Sequence, residues 1–179
     1  LFMEVAMEIA LENNLLTNLN HVDTTSFSLE GSYDNLPASQ QQAIRLTHGY
    51  SKDHRPDLKQ VILSLVVNGP GAIPISMEPL SGNTSDKVSL QETIQKVESF
   101  KKQINLDLPF KWVADAALYT RDKLLKPDNK YSWLTRVPET IKQARDLLEM
   151  PGETISWQEQ EKGYKTFSTS SNYGDIEQR

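Results

Sequence analysis

Apolar and polar residues recur along this chain with two different periods, and the changes of period mark out its elements. Between residues 1 and 14, Phe2, Val5, Ile9 and Ala10 fall at helical spacing, and Asn13-Asn14 suits the end of a first helix. From 21 to 29 the period is two. Asp23, Thr25, Phe27 and Leu29 share one face of a predicted strand, and Val22, Thr24, Ser26 and Ser28 share the other. Residues 30–57 are rich in Gly, Pro, Asn, Asp and Ser and read as loop. Val61 to Val67 is a nearly unbroken apolar, β-branched run, the pattern of a strand covered on both faces. Asn68-Gly69-Pro70-Gly71 is a strong turn signal, and Ile73, Ile75 and Met77 alternate beyond it, so the two runs predict a hairpin. Pro74 and Pro79 lack a main-chain donor, which predicts an edge position for this third strand.

From Ser89 the period lengthens. Leu90, Ile94, Val97 and Ile104 recur as on a helix, and Ser89 with Glu92 has the sequence of a capping box. A short strand is predicted at Lys111 to Asp115, a short helix at Leu118 to Lys126 and a strand at Tyr131 to Arg136. Pro138 suits the first turn of a helix running to about Met150, which Pro151-Gly152 ends. Beyond it Ile155 and Trp157 alternate, and Tyr164 and Phe167 follow Glu161-Lys162-Gly163, the pattern of a polar β-hairpin. The predicted order is three strands in a meander, then helix, strand, helix, strand, helix: an α/β fold on a mixed sheet. The helix between the third and fourth strands supplies the crossover that a parallel pair requires, so the first and fourth strands can be neighbours.

At 179 residues the chain suffices for one core-bearing domain with a short appended element. Its mean hydropathy of -0.52 lies on the polar side for a globular domain, and no apolar run approaches the about 18 residues of a membrane helix. The absence of cysteine excludes a disulfide framework and a thiolate zinc site. No charged-then-apolar secretion signal opens the chain, and together these features predict a cytoplasmic protein with no membrane partner. A net charge of -5 excludes a globally basic, histone-like DNA binder but not a local basic patch. The opening on Leu1 with a helix already under way, and the stop at Arg179 without a terminating pattern, lead us to expect a piece of a longer protein.

The candidate chemistry rests on two aspartates at the ends of strand-like runs, in His21-Val22-Asp23-Thr24-Thr25 and in Trp112-Val113-Ala114-Asp115. A carboxylate at a strand end needs something to offset its desolvation, and a hard divalent cation with oxygen ligands does so directly. If their strands pair, Asp23 and Asp115 lie side by side and can share one cation site. His21 shares the strand face of Asp23, but His21, His48 and His54 lack the helical two-His spacing of zinc hydrolases. Residues 121–145 set seven basic residues, Arg121, Lys123, Lys126, Lys130, Arg136, Lys142 and Arg145, against Asp122, Asp128 and Glu139. Such a patch is either a solvated face or a source of sequence-independent phosphate contacts to DNA. Trp133 reads as core.

These segments resemble the insertion-sequence DDE transposases, whose catalytic domain has the ribonuclease H-like fold. The resemblance is carried by His21-Val22-Asp23-Thr24-Thr25, by Gly49-Tyr50-Ser51-Lys52-Asp53 with Arg55-Pro56-Asp57-Leu58-Lys59-Gln60, by Gly82-Asn83-Thr84-Ser85-Asp86 and by Val113-Ala114-Asp115. It departs from the family after the second aspartate, where a basic residue or Gly is frequent and this chain has Ala116-Ala117. The resemblance implies that Asp23 and Asp115 are the first two members of an Asp, Asp, Glu triad that holds two Mg²⁺ ions, with Mn²⁺ as a substitute. Two such ions serve phosphodiester hydrolysis and strand transfer by an in-line displacement. It further implies a catalytic core, incomplete, over 1–152 and the start of a β-rich insertion over 153–179, with the Glu beyond Arg179; Glu139, Glu149 and Glu177 are the alternatives within the chain. DNA, as transposon ends and target, is the implied partner; the protein is expected to be nucleoid-associated when acting on it, and a homodimer remains open. Lys52, Arg55 and Lys59 either pack their loop onto the sheet or hold DNA, whereas Gly82 to Asp86 reads as a turn and helix entry. Two other functions compete: a ribonuclease H-like nuclease without strand transfer, and a repurposed, inactive transposase-derived domain that binds DNA or protein.

Overall fold

The period-two segments form one five-stranded mixed sheet in the computed structural model, which describes residues 1–33, 44–119, 132–173 and 176–179. A helix α1 (Phe2–Glu12) precedes the meander β1 (Leu19–Leu29), β2 (Lys59–Asn68) and β3 (Ile73–Ser81). The crossover helix α2 (Asp86–Gln103) then leads to β4 (Lys111–Ala114), a 3₁₀ turn at Ala116–Leu118 and β5 (Ser132–Thr135). The strand order is β3-β2-β1-β4-β5. β1 and β3 are each antiparallel to β2, while β4 is parallel to β1 and β5 to β4. This order and these directions are the ribonuclease H-like topology, and the edge position expected for the proline-bearing β3 is the one it occupies.

These elements make up one compact unit, Leu1–Leu118 with Tyr131–Thr135; the second unit is Tyr119–Lys130 with Arg136–Arg179. The core of the first lies between one face of the sheet and the two helices. Met7 of α1 and Leu90, Ile94 and Val97 of α2 pack with Val22, Val66, Ile75, Phe110, Trp112 and Leu118. Burial of this kind contributes roughly 25 cal/mol per Å² of apolar surface and is the main term holding the unit together. Trp112 is fully buried, and its indole Nε1 donates to Glu98 Oε1 at 2.9 Å. Glu98 in turn pairs with Lys101, whose ammonium lies 4.7 Å from the Phe110 ring centroid.

Several local expectations change in the fold. The inward stripe of α1 is Met3, Met7 and Ala10, while Phe2, Val5 and Ile9 are exposed; the helix carries two apolar stripes and only one meets the sheet. β2 is not covered equally on both faces: Gln60, Ile62, Ser64, Val66 and Asn68 are buried, and Val61, Leu63, Leu65 and Val67 are half-buried. Within this unit α1 and α2 cover one face, and Phe27 and Met77 on the other are 50% and 47% exposed. α2 starts one turn before the expected capping box, with Ser85 at the cap position and Ser89 buried inside the helix. The chain has already turned there, Thr84 N–H donating to Ser81 O, so the Ser85 carbonyl receives the first helical amides. A bulge in β3 between the Val66–Ser76 and Val67–Pro74 pairs adds Ile75, which is fully buried in the core.

The second unit holds a short helix α3 (Lys142–Leu148) and two small hairpins: β6 (Gln158–Glu159) with β7 (Lys165–Thr166), and β8 (Ser171–Tyr173) with β9 (Ile176–Gln178). Pro138 accepts a turn bond from Ile141 N–H, and Ile141 is extended, so α3 is shorter than the helix expected from Pro138. The single polar hairpin expected after 153 is instead two. The first turns through Lys162 and Gly163, both at positive φ. Of the helix expected at Leu118 to Lys126, Leu118 ends the 3₁₀ turn, and residues 120–126 lie outside the described residues. Among the described residues no helix is long and apolar enough to cross a membrane.

Candidate functional site

β1 and β4 pair in parallel with Leu19 opposite Lys111, Asn20 opposite Trp112 and His21 opposite Val113. Continued two residues past that last pair, the register would put Asp23 level with Asp115; Asp115 follows directly on the last residue of β4, whereas Asp23 lies inside β1 rather than at its expected end, because the pairing with β2 carries β1 on to Leu29. Neighbouring strands run about 4.8 Å apart, so two carboxylates at one level of adjacent strands are within reach of a common ion. Both aspartates are exposed, and His21 is exposed on the same face as Asp23.

Each carboxylate is oriented by its own backbone. Asp23 Oδ1 accepts the Thr24 N–H at 2.7 Å, and Asp115 Oδ1 accepts the Ala117 N–H at 2.8 Å. The second contact is an Asx turn, which the small pair Ala116-Ala117 accommodates in the 3₁₀ turn. The Asp115 carbonyl accepts Thr135 Oγ1–H from β5, tying the end of β4 to its outer neighbour. In both aspartates Oδ2 makes no hydrogen bond among the described residues, so the donor set suits a hard cation on two monodentate carboxylates. Among the described residues no group of three or more His, Cys, Asp or Glu side chains is arranged to hold a metal ion. Glu139, Glu149 and Glu177 all belong to the second unit and are exposed.

Two segments of the resemblance, Gly49 to Gln60 and Gly82 to Asp86, meet behind β1. Thr47 and Gln60 form an antiparallel bridge, and the Gly82 N–H donates to Arg45 O. The fully buried Gln60 side chain joins the loops, Nε2 donating to Gly82 O at 2.7 Å and to Tyr50 O at 3.2 Å. The approach requires glycine on both sides: a Cβ on Gly49 falls 2.0 Å from Gly82 O, and one on Gly82 falls 2.0 Å from Gln60 O. From this clamp Lys52 and Asp86 reach the inner face of β1. Thr24 Oγ1 donates to Asp86 Oδ1 at 2.7 Å, Lys52 Nζ donates to Thr24 O at 2.7 Å, and Lys52 Nζ lies 3.5 Å from Asp86 Oδ2. They border an open cleft of about 490 Å³ that Ser26, Tyr50 and Asn83 also line. Sequence reasoning missed the roles of Thr24, Gln60 and Asp86. All three lie in the segments of the resemblance, but nothing local signals that those segments touch.

The other basic residues are dispersed. Arg55 is paired with Asp57, Nε donating to Oδ1 at 2.9 Å and Nη2 to Oδ2 at 2.8 Å. This hydrogen-bonded pair raises the Arg55 pKa and lowers that of Asp57 from its ordinary value. Lys59 is half-buried at the start of β2, opposite Leu29, and Arg136 is exposed just after β5. Arg121, Lys123, Lys126 and Lys130 lie outside the described residues. Trp133 is partly buried against the core of the first unit, as expected.

No family model and no curated protein matches the sequence. Among solved structures, the chain is similar to a Mos1 transposase paired-end complex with the left transposon end, at 12% identity and a TM-score of 0.39, over 75% of this chain and 39% of that one. It is also similar to the crystal structure of a Mos1 mariner paired end complex with Mn, at 13% identity and a TM-score of 0.40, over 75% of this chain and 40% of that one. The chain thus spans about two-fifths of the transposase chains it matches.

Proposed function

We propose that this chain is the catalytic-core portion of a DNA transposase, acting on phosphodiesters at transposon ends with divalent metal ions. The observation that carries the reading is the β1–β4 register, which pairs His21 with Val113 and, continued two residues, would set Asp23, within β1, level with Asp115, just past β4. The segments that resemble the insertion-sequence DDE transposases support it independently, since two of them build the clamp behind Asp23. In this reading Asp23 and Asp115 would hold Mg²⁺, or Mn²⁺ in its place, each with its Oδ1 oriented by a backbone amide. The chemistry that such ions would supply there is activation of an attacking hydroxyl and stabilisation of the leaving oxygen. The chain's own contribution would be to present the two carboxylates from neighbouring strands, with exposed Arg136 among the groups available to DNA phosphate.

The third carboxylate implied by the resemblance is not beside them among the described residues. That observation also favours a second reading, a transposase-derived domain that binds DNA or protein without chemistry. Mn²⁺ titration followed by water-proton relaxation, with nicking of labelled DNA, separates the two. The proposal expects weak Mn²⁺ binding by the 179-residue chain, lost in an Asp23→Asn, Asp115→Asn double variant, and no cutting without a third ligand. Affinity unchanged in the double variant sinks the metal site and leaves the binding-domain reading. Cleavage abolished by Asp115→Ala returns the third ligand to this chain, with Glu139 and Glu149 the first to replace.

A further inference from the structure

We infer that Lys52 and Asp86 are positioning residues for Asp23, acting through Thr24. The inference rests on the reading above, in which Asp23 holds a metal ion. It starts from the accounting of backbone groups where a ladder stops, because unpaired main-chain donors and acceptors near a core must find partners. The β1–β4 ladder ends at His21–Val113. Three residues on, Thr24 gives both its main-chain groups to side chains: its N–H donates to Asp23 Oδ1 and its carbonyl accepts Lys52 Nζ, each at 2.7 Å.

The remaining contacts close a ring. Thr24 Oγ1, 4% exposed as a residue, donates to Asp86 Oδ1, and Asp86 Oδ2 faces the same Lys52 ammonium. Thr24 is therefore held by its carbonyl and by its hydroxyl, and what remains, its N–H, is the group that orients the Asp23 carboxylate. Lys52 lies in one of the two loops that Gln60, Gly49 and Gly82 lock together, and Asp86 opens α2 directly after the other, so the ring is anchored on backbone. Stability is a poor account of the arrangement. The Lys52–Asp86 pair is 41% and 34% exposed with its atoms 3.5 Å apart, and such pairs contribute little. Outer partners of metal-ligating carboxylates, by contrast, typically change metal affinity by about 10–100-fold.

The test uses Mn²⁺ as probe on the full 179-residue chain, comparing wild type with Lys52→Met, Lys52→Arg, Asp86→Asn and Asp23→Asn, each checked for folding by circular dichroism. The expected result is Mn²⁺ affinity about tenfold weaker in Lys52→Met and in Asp86→Asn at an unchanged thermal midpoint. Lys52→Arg, which keeps a cationic donor, should lose less. In metal-free protein, the Thr24 amide and Asp23 carboxyl resonances should move in Lys52→Met. If Lys52→Met does not fold, Asp86→Asn, which keeps its shape and the acceptor for Thr24, carries the same test. Affinity within twofold of wild type in the folded variants, with binding abolished by Asp23→Asn, overturns the inference and leaves the metal reading standing. Affinity unaffected by Asp23→Asn overturns the metal reading instead; the metal-free resonances then decide the inference, and their failure to move refutes it.

Discussion

Replacing Gly82 by alanine should open the clamp behind β1, and the structure sets the scale of the effect. A Cβ at this position falls 2.0 Å from the Gln60 carbonyl oxygen and 2.5 Å from that of Thr47, both rigid main-chain atoms. Relief requires parting the bridge in which Gln60 N–H donates to Thr47 O at 3.0 Å and Thr47 N–H donates to Gln60 O at 3.4 Å. Each such bond is worth about 1 kcal/mol net, and the buried Gln60 amide, deprived of Gly82 O, costs about 1–3 kcal/mol more. We expect a loss of about 3–5 kcal/mol, a large share of the roughly 5–15 kcal/mol that holds a domain folded. Gly71 is the control, because a Cβ there meets only the Ile73 side chain, at 3.6 Å and 3.9 Å, and its φ is not positive. Gly71→Ala should stay within about 0.5 kcal/mol of wild type. Urea unfolding followed by tryptophan fluorescence reads both. At a slope of about 1.5 kcal/mol/M, a 3 kcal/mol loss moves the midpoint by about 2 M with the slope unchanged. A Gly82→Ala midpoint indistinguishable from that of Gly71→Ala would refute the clamp.

Two further outcomes follow from the packing and the charges. Trp112→Ala should cost about 3–5 kcal/mol in the same unfolding assay, because the side chain is 0% exposed and its removal leaves a cavity in the core; a loss below about 1 kcal/mol would mean Trp112 is not a core residue. The hydrogen bonds from Arg55 lower the Asp57 pKa, so that this pair is intact above the ordinary aspartate value and is lost only as pH falls through the lowered one. A carboxyl-carbon NMR titration should therefore show Asp57 titrating below an ordinary aspartate in wild type and at a higher pH in Arg55→Gln than in wild type; identical curves would dismiss the pairing.

Periodicity made the architecture legible and left the site half-read. Alternation in Val22 to Ser28, the apolar run of Val61 to Val67 and the helical repeat through Leu90, Ile94 and Val97 determine element type, because local backbone geometry alone turns a period into a face. With the rule that a parallel neighbour needs a crossover, they also determine that β1 and β4 can adjoin, and so that Asp23 and Asp115 can be companions. The same one-dimensional pattern could not choose between the two apolar stripes of α1, since only contact with the sheet separates Met7 from Ile9. Nor could it reveal that Gln60 meets Gly82, or that Thr24 meets Lys52 and Asp86, partners 22, 28 and 62 residues apart. Such contacts have no period. They arise when loop closure brings distant backbone groups together and burial obliges each to find a partner, which is decided only in the folded chain.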